Sequence, residues 1–429
     1  MVEQIKLKIL GGGREVGRNG VLVEHKNTKL LLDYGVQVSE EEPGFPLHVR
    51  PRDIDAIFIT HSHLDHIGAV PLLYISEFKP LFATQLTLEV SELLILDFLK
   101  VAKYYVPYEV IELEEMLRAA QAINFGDKIG LRDFEVRVLN AGHILGSSAF
   151  LLENEVSILY TGDYNTLDTC LVRGAEFPKR NVDVLITEAT YGLYDHPPRR
   201  IVEEELKRII EETIDRGGKV LIPAFSVGRS QEVLCLLTKL GLDNIPIYLD
   251  GMARTISSIY LSHKIFLKDS KLFEKAMEKV HIISGRKERK KVLRQQAIII
   301  SPAGMLKGGP AVYYLKRIAR DEKNTILFVS FQAPGTRGKE ILNTGLYKEV
   351  ESSTGIPIRA RIEWLDLSSH VSRSSILDYI KSLAPTLKYL VIIHASPESG
   401  EYISKKSKED FGIENVYFPE NGEEIVLEV

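Results

Sequence analysis

Residues 56–66 read Ala56-Ile57-Phe58-Ile59-Thr60-His61-Ser62-His63-Leu64-Asp65-His66. An apolar run rich in β-branched and aromatic side chains breaks into four ligand-type residues. The run predicts a strand over Ala56–Thr60, followed by a loop and a helix from Ile67 towards Ser76. In extended backbone, residues two apart point the same way, so His61 and His63 can grip one cation together. Where the chain turns, Asp65 and His66 can face a second. Imidazole and carboxylate suit zinc, and also iron or manganese. Burying such a cluster is costly unless it is paired or metal-bound.

Other candidates also end apolar strands. Asp33 follows Leu30-Leu31-Leu32, Asp163 follows Ile158-Leu159-Tyr160, Glu188 follows Leu185-Ile186-Thr187 and His394 follows Val391-Ile392-Ile393. His143 lies in Gly142-His143-Ile144-Leu145-Gly146, and His370 follows the segment containing Trp364. A carboxylate such as Asp163 can bridge two metal ions. His25, His48, His196, His263 and His281 lack this setting and read as surface or structural residues.

The chain has 429 residues, 45% hydrophobic and 26% charged. This is ordinary globular composition, long enough for two or three domains, and it excludes whole-chain disorder or coiled coil. No apolar run approaches the ~20 residues of a membrane span. The first residues lack a signal-like apolar stretch, so a cytoplasmic protein is expected. Cys170 and Cys235 are the only cysteines, with no paired framework, which fits a reducing compartment. A metal must then be held by His, Asp or Glu. The net charge of −5 does not announce a nucleic-acid binder. Any positive field is local, for instance at Gly285–Arg294, although a solvated helix face explains that run equally well.

Strand patterns recur at Lys6–Leu10, Val21–Glu24, Lys29–Leu32, Phe134–Leu139, Ala149–Leu152, Ser157–Tyr160 and Val184–Thr187. Helical spacing covers Leu86–Lys103 and Glu112–Ala120. After a charged helix at Ile201–Asp215, strands alternate with helices: Lys219–Ile222, Ile245–Leu249, Ala297–Ile300, Thr325–Val329 and Arg361–Asp366. That alternation predicts a separate α/β unit with a mostly parallel sheet. Tyr389–Ile393 is a further strand. The glycines at 11–13 do not complete a dinucleotide-binding GxGxxG, because Val16 takes the last glycine's place. They read as a tight loop near a site. No Walker loop or GxSxG elbow is present.

The run His61–His66, with Asp33, His143 and Asp163, resembles the metallo-β-lactamase fold, an αββα sandwich. More than half of the chain lies between Asp163 and His394. That interval resembles the inserted β-CASP domain of nucleic-acid-processing members. The stretches that carry this are Pro223–Glu232, Asp250–Arg254, Gly304–Pro310 and Gln332–Gly338. Within the family, Gly12–Arg18 is most similar to archaeal relatives of the endonuclease subunit of the cleavage and polyadenylation specificity factor, in a short form without KH domains. The resemblance implies a first metallo-β-lactamase segment at 1–193, the β-CASP domain at 194–366 and a C-terminal completion at 367–429.

It also implies roles. Two zinc ions would be held, one by His61, His63, His143 and Asp163, the other by Asp65, His66, Asp163 and His394. Asp33 would orient a ligand, His370 would donate a proton and Glu188 would orient His370. Ser226, Arg229, Gly335 and Thr336 would contact phosphate. The implied activity is hydrolysis of single-stranded RNA to 5′-phosphate and 3′-hydroxyl ends, by endonuclease or 5′-to-3′ exonuclease action. His394 favours RNA over DNA. Three positions depart from the family pattern: Ser330 for glycine, Ala395-Ser396 after His394, and Ser372 where an Asp commonly follows the motif histidine.

A small-molecule hydrolase is disfavoured by the insertion, and a non-catalytic scaffold by the filled ligand positions. The C-terminal segments Val416–Phe418 and Glu424–Leu427 are expected either to pair two copies as a homodimer or to close their own sheet.

Overall fold

The computed structural model describes residues 4–38, 42–348 and 355–428. The chain divides into two compact units. The first comprises Met1–Asp168, Arg173–Asp195 and Ser369–Val429, and the second Thr169–Val172 and His196–Ser368.

The first unit contains two seven-stranded sheets. One runs Glu424–Glu428, Gln4–Gly11, Gly20–His25, Thr28–Leu32, Ala56–Phe58, Leu81–Thr84, Ala120–Ile123 in spatial order. The other runs Asn415–Tyr417, Tyr389–Ile393, Val184–Glu188, Ser157–Tyr160, Ser148–Glu153, Glu135–Asn140, Lys128–Gly130. Alternation decides which face is buried. In Gln4–Gly11, Ile5, Leu7 and Ile9 point inward while Gln4, Lys6 and Lys8 face solvent. Ile5, Leu7, Val21 and Phe58 meet Val136, Phe150, Ile158 and Ile186 in the core between the sheets.

The opposite faces are covered by helices. Ile57 and Leu81 pack with Leu88, Ile95 and Met116, whereas Leu159, Leu185 and Leu390 pack with Ile376, Ile380 and Ile403. This is the αββα sandwich.

Strand direction places the chemistry. Thr28–Leu32, Ala56–Phe58 and Leu81–Thr84 are parallel neighbours, as are Ser157–Tyr160, Val184–Glu188 and Tyr389–Ile393. Asp33, His61, Asp163, Glu188 and His394 therefore all sit at carboxyl ends of parallel strands, where α/β folds build sites.

The second unit's main sheet is entirely parallel, in the order His281–Ile282, Ile247–Leu249, Ile298–Ser301, Val220–Pro223, Thr325–Phe328, Arg361–Trp364. Three of its inner strands, Val220–Pro223, Ile298–Ser301 and Thr325–Phe328, are buried along their whole length, and this explains the unbroken runs VLIP, IIIS and TILF.

Three local expectations change. The helix after the histidine run begins earlier, at Leu64, and ends at Ile67, and a 3₁₀ segment covers Val70–Tyr74. Gly68 and Pro71 interrupt it. Leu81–Thr84 forms a strand that the adjoining helical pattern hides. Ala120, read as the helix end, opens the strand Ala120–Ile123 by pairing with Leu81–Thr84. Both C-terminal segments close their own sheets: Glu424–Glu428 pairs with Gln4–Gly11, and Asn415–Tyr417 with Tyr389–Ile393. No helix among the described residues is long and apolar enough to cross a membrane.

The loop carrying Leu64, Asp65 and His66 is fixed through its carbonyls. They accept from the amides of Val36, Asn19 and Tyr34 at 2.7, 2.7 and 2.8 Å. Gly35 lies against this loop: a Cβ there would sit 1.8 Å from the Asp65 carbonyl oxygen and 2.4 Å from the His66 nitrogen. Backbone cannot yield as a side chain can. Gly35→Ala should therefore destabilise the protein by on the order of 3 kcal/mol, seen as a lower urea midpoint. Gly130→Ala, where a Cβ meets nothing within 4 Å, should leave the midpoint nearly unchanged.

Candidate metal centre

His61, His63, His143 and Asp163 bring their ligand atoms within 4.8 Å of one another, as do Asp65, His66 and His394. Asp163 lies against both groups. Its Oδ2 is 3.6 Å from His61 Nε2, 3.8 Å from His143 Nε2 and 3.3 Å from His66 Nε2, and its Oδ1 is 3.5 Å from His394 Nδ1. On the other side, His394 Nε2 is 3.4 Å from Asp65 Oδ2. All seven residues expected as ligands thus converge at one edge of the sandwich.

The donors fit metal ions. His61 Nε2 and His143 Nε2 both aim at His63 Nδ1, at 3.0 and 3.4 Å. The buried Oδ1 of Asp163 has no hydrogen-bond donor. Burial and the neighbouring imidazoles hold His61 well below its ordinary pKa, and burial, His370 and His63 do the same for His143. Burial takes His63 down to about 4. Burial opposes ionisation of Asp163, but His66, His394 and His370 outweigh it and keep the carboxyl well below its usual range. Three neutral imidazoles beside an ionised carboxylate are the protonation state that metal binding needs. In the other group burial opposes charge, but Asp163 and Asp33 hold His66 up and Asp163 and Asp65 hold His394 up, so an ion there would displace their protons.

A surrounding layer orients these groups. Asp33 Oδ2 is 2.8 Å from His66 Nδ1, and Thr60 Oγ1 is 3.0 Å from His61 Nδ1. The Ser369 carbonyl is 3.0 Å from His143 Nδ1, and Thr190 Oγ1 is 3.0 Å from His394 Nδ1. Fixing one ring nitrogen commits the other to the metal. The sequence does not single out Thr60, Thr190 or the Ser369 carbonyl, and of these only Thr60 carries a signal, being a polar residue where an apolar strand ends. The Gly12 carbonyl accepts from the His394 amide at 2.7 Å, so the glycine loop does border the site.

His370 Nδ1 is 3.0 Å from both Glu188 oxygens and 3.9 Å from Asp163 Oδ2. Glu188 is itself held by the Tyr164 amide at 3.0 Å. Burial disfavours charge on His370, but Glu188 and Asp163 prevail and hold it up at about 9.

The four residues expected at phosphate lie in the second unit: Ser226 in the loop after Val220–Pro223, Arg229 at the start of the helix Arg229–Lys239 that follows it, and Gly335 and Thr336 in the loop after Thr325–Phe328. Ser226 and Arg229 are half-buried, and Gly335 is exposed with φ +80° and open space around it. Thr336 is buried and already occupied: its hydroxyl donates to the Ala333 carbonyl at 2.6 Å and caps helix Arg337–Thr344. In the basic run, Arg289 is bound to Asp250 at 2.7 Å, while Arg286, Lys287, Lys290, Lys291 and Arg294 are exposed.

Known proteins decide the family. Residues 13–165 match the metallo-beta-lactamase superfamily, 230–341 the Beta-Casp domain, and 355–419 the Zn-dependent metallo-hydrolase RNA specificity domain. The chain is 38% identical to RNase aCSPSF2 of Saccharolobus solfataricus, over 98% of this chain and 85% of that protein. It belongs to the metallo-β-lactamase-fold β-CASP family of hydrolases. It is also 36% identical to Probable RNase MJ4 of Methanocaldococcus jannaschii, over 90% of this chain and 91% of that one. Transcription termination factor FttA of the same organism is 35% identical over 91% of this chain and 67% of its own. A crystal structure of a protein of unknown function from Enterococcus faecalis V583 shares the fold, with TM-score 0.63, 15% identity, and 99% and 100% coverage.

Asp33 touches no metal-facing nitrogen and acts through His66. Asp33→Asn should lower metal affinity about 10–100-fold, measured by competition with a chromophoric chelator, while the far-ultraviolet circular dichroism stays unchanged.

Proposed function

We propose that this protein is a zinc-dependent ribonuclease acting on single-stranded RNA in the cytoplasm, hydrolysing phosphodiesters to 5′-phosphate and 3′-hydroxyl ends. The observation that carries the reading is the Glu188–His370 pair beside the His/Asp cluster. A hydrolytic metal site needs only the cluster. A charged histidine at its margin adds a proton donor for a poor leaving group such as a ribose 3′-oxygen. The RNase names of two relatives matched over most of their length support RNA as substrate.

His61, His63, His143 and Asp163 would hold one ion, and Asp65, His66, Asp163 and His394 the other. Ions held there supply Lewis acidity, activating water and drawing charge from the phosphoryl oxygens. The chain's own residues do the rest. Asp33, Thr60, Thr190 and the Ser369 carbonyl fix the imidazoles in position. Glu188 holds the His370 ring by Nδ1 and keeps it protonated, leaving Nε2 to give a proton to the departing oxygen. Ser226, Arg229 and the exposed Gly335 loop would take phosphates, with Thr336 shaping that loop as its cap. The β-CASP region at 194–366 would carry those contacts, within metallo-β-lactamase segments at 1–193 and 367–429. Self-association, if the protein uses it, would add a strand to the outer edge of Glu424–Glu428.

The test offers the zinc-loaded protein two versions of one single-stranded RNA, with a 5′-monophosphate or a blocked 5′ end. Cleavage of the blocked RNA at internal sites assigns an endonuclease, and degradation of the open RNA alone assigns a 5′-to-3′ exonuclease. Cleavage of neither, or 2′,3′-cyclic phosphate products, defeats the proposal. His370→Ala should cut the rate about 10²–10⁴-fold with metal content retained. Glu188→Gln should move the alkaline limb of the pH–rate profile to lower pH. His370 must be protonated to act, and without the carboxylate it loses its proton sooner.

A further inference from the structure

The two cysteines, 65 residues apart, lie side by side in the second unit with their Sγ atoms 2.9 Å apart. Both are buried thiols, Cys170 at 7% exposure and Cys235 at 0%. The sequence shows no paired framework, and the fold nonetheless sets the two free thiols in contact. Cys235 sits on helix Arg229–Lys239. Cys170 sits in Thr169–Val172, a four-residue piece that belongs to the second unit although both of its flanks belong to the first.

That piece is held deliberately. Glu232, one turn before Cys235 on the same helix, accepts from the Cys170 and Leu171 amides at 2.9 and 2.8 Å, and pairs with Arg199. The Leu171 carbonyl accepts from the Lys268 amide at 3.0 Å, and the Thr169 carbonyl from Lys268 Nζ at 3.1 Å. The carboxylate clamp fixes the backbone on which Cys170 is carried, so the two sulfurs meet by construction. A disulfide would hold the sulfurs about 2.05 Å apart, and the 2.9 Å contact between the two free thiols puts them within reach of each other.

We propose that Cys170 and Cys235 form a dithiol–disulfide couple that fastens Thr169–Val172 to helix Arg229–Lys239. The oxidant is a low-molecular-weight disulfide. The Cys170 thiolate, on the less buried side chain, attacks one of its sulfurs and releases one small thiol. Cys235 then attacks the mixed disulfide at Cys170 and releases the second. Two protein S–H bonds are replaced by one S–S bond, and two electrons pass to the small disulfide. The closed loop spans 65 residues and would restrict the unfolded chain. The contact with the Cys170 sulfur, and then burial, push the Cys235 thiol up, so the exchange is slow in the folded protein and fast during folding.

The experiment equilibrates the full chain in glutathione buffers of graded potential, once as native protein and once by refolding from denaturant. Maleimide labelling in denaturant then counts free thiols. Under oxidising buffer the refolded protein should take up no maleimide until reduced, and its intact mass should be two hydrogens lower. Its melting temperature should fall by about 5 °C on reduction. The Cys170→Ser, Cys235→Ser double variant should show no response to reductant. Two labelled thiols after oxidative refolding would overturn the couple. So would a persistent glutathione adduct, or a disulfide whose reduction leaves the melting temperature where it was.

Discussion

The Asp33 carboxylate is the interaction on which the metal centre depends. It is fully buried at the end of Thr28–Leu32, and it accepts from the Thr60 amide at 2.8 Å, the Thr60 hydroxyl at 2.8 Å and the Tyr160 hydroxyl at 2.9 Å. His66 Nδ1 adds a fourth partner at 2.8 Å. Thr60 follows a strand of one sheet and Tyr160 ends a strand of the other. One charge thus ties the two sheets together where the site is built. Removing a carboxylate from water costs several kcal/mol, and only a full set of charge-assisted bonds, each worth about 1.5–3 kcal/mol, offsets that. Burial and Asp33 push Tyr160 well above its ordinary pKa, so it remains a donor. Asp33 reaches this position with φ +55°, and His394, another buried strand-end residue, has φ +49°. Left-handed backbone at two such positions is strain that the surrounding hydrogen bonds hold in place.

This constraint explains what could be read from the sequence. His61, His63, Asp65 and His66 were legible because ligand chemistry and spacing coincide in one short run. Asp163, Glu188 and His394 were legible because a polar residue ending an apolar strand is conspicuous. Their convergence was not visible in any local pattern. It follows from the shared direction of strands far apart in the chain, which the resemblance supplied and periodicity alone did not. Thr190 and the Ser369 carbonyl stayed hidden for a plainer reason. A threonine in a loop and a backbone carbonyl have no distinguishing chemistry until the fold sets a histidine beside them.

Where local reading failed, tertiary pairing had overridden propensity. Ala120-Gln121-Ala122-Ile123 continues a helical pattern from Val110–Ala119, and alanine favours helix. It extends because the edge of Leu81–Thr84 offers unpaired backbone groups that must be satisfied. Thr336 shows the converse. Its residue type suits a phosphate contact, but its hydroxyl is spent on a helix cap and a turn carbonyl.

The departures from the family pattern obey the same logic. Ser372 accepts from the Ser375 amide at 3.4 Å and caps helix Arg373–Leu383. Ser396 accepts from the Ser399 amide at 3.3 Å and caps helix Pro397–Phe411. Each capping serine stands two residues after a site histidine, Ser372 after His370 and Ser396 after His394. The cap therefore fixes where the histidine's backbone leaves its strand or loop. At 372 the family residue is aspartate, nearly equivalent to serine as an N-cap, so that exchange keeps the helix start and with it the histidine. At 396 the family residue is glutamate, and the serine itself supplies the cap. What the exchange removes is a negative charge beside the site. The positioning of the centre is thus preserved in these positions, while the electrostatic field at its mouth is set by Glu188, Asp65 and Asp163.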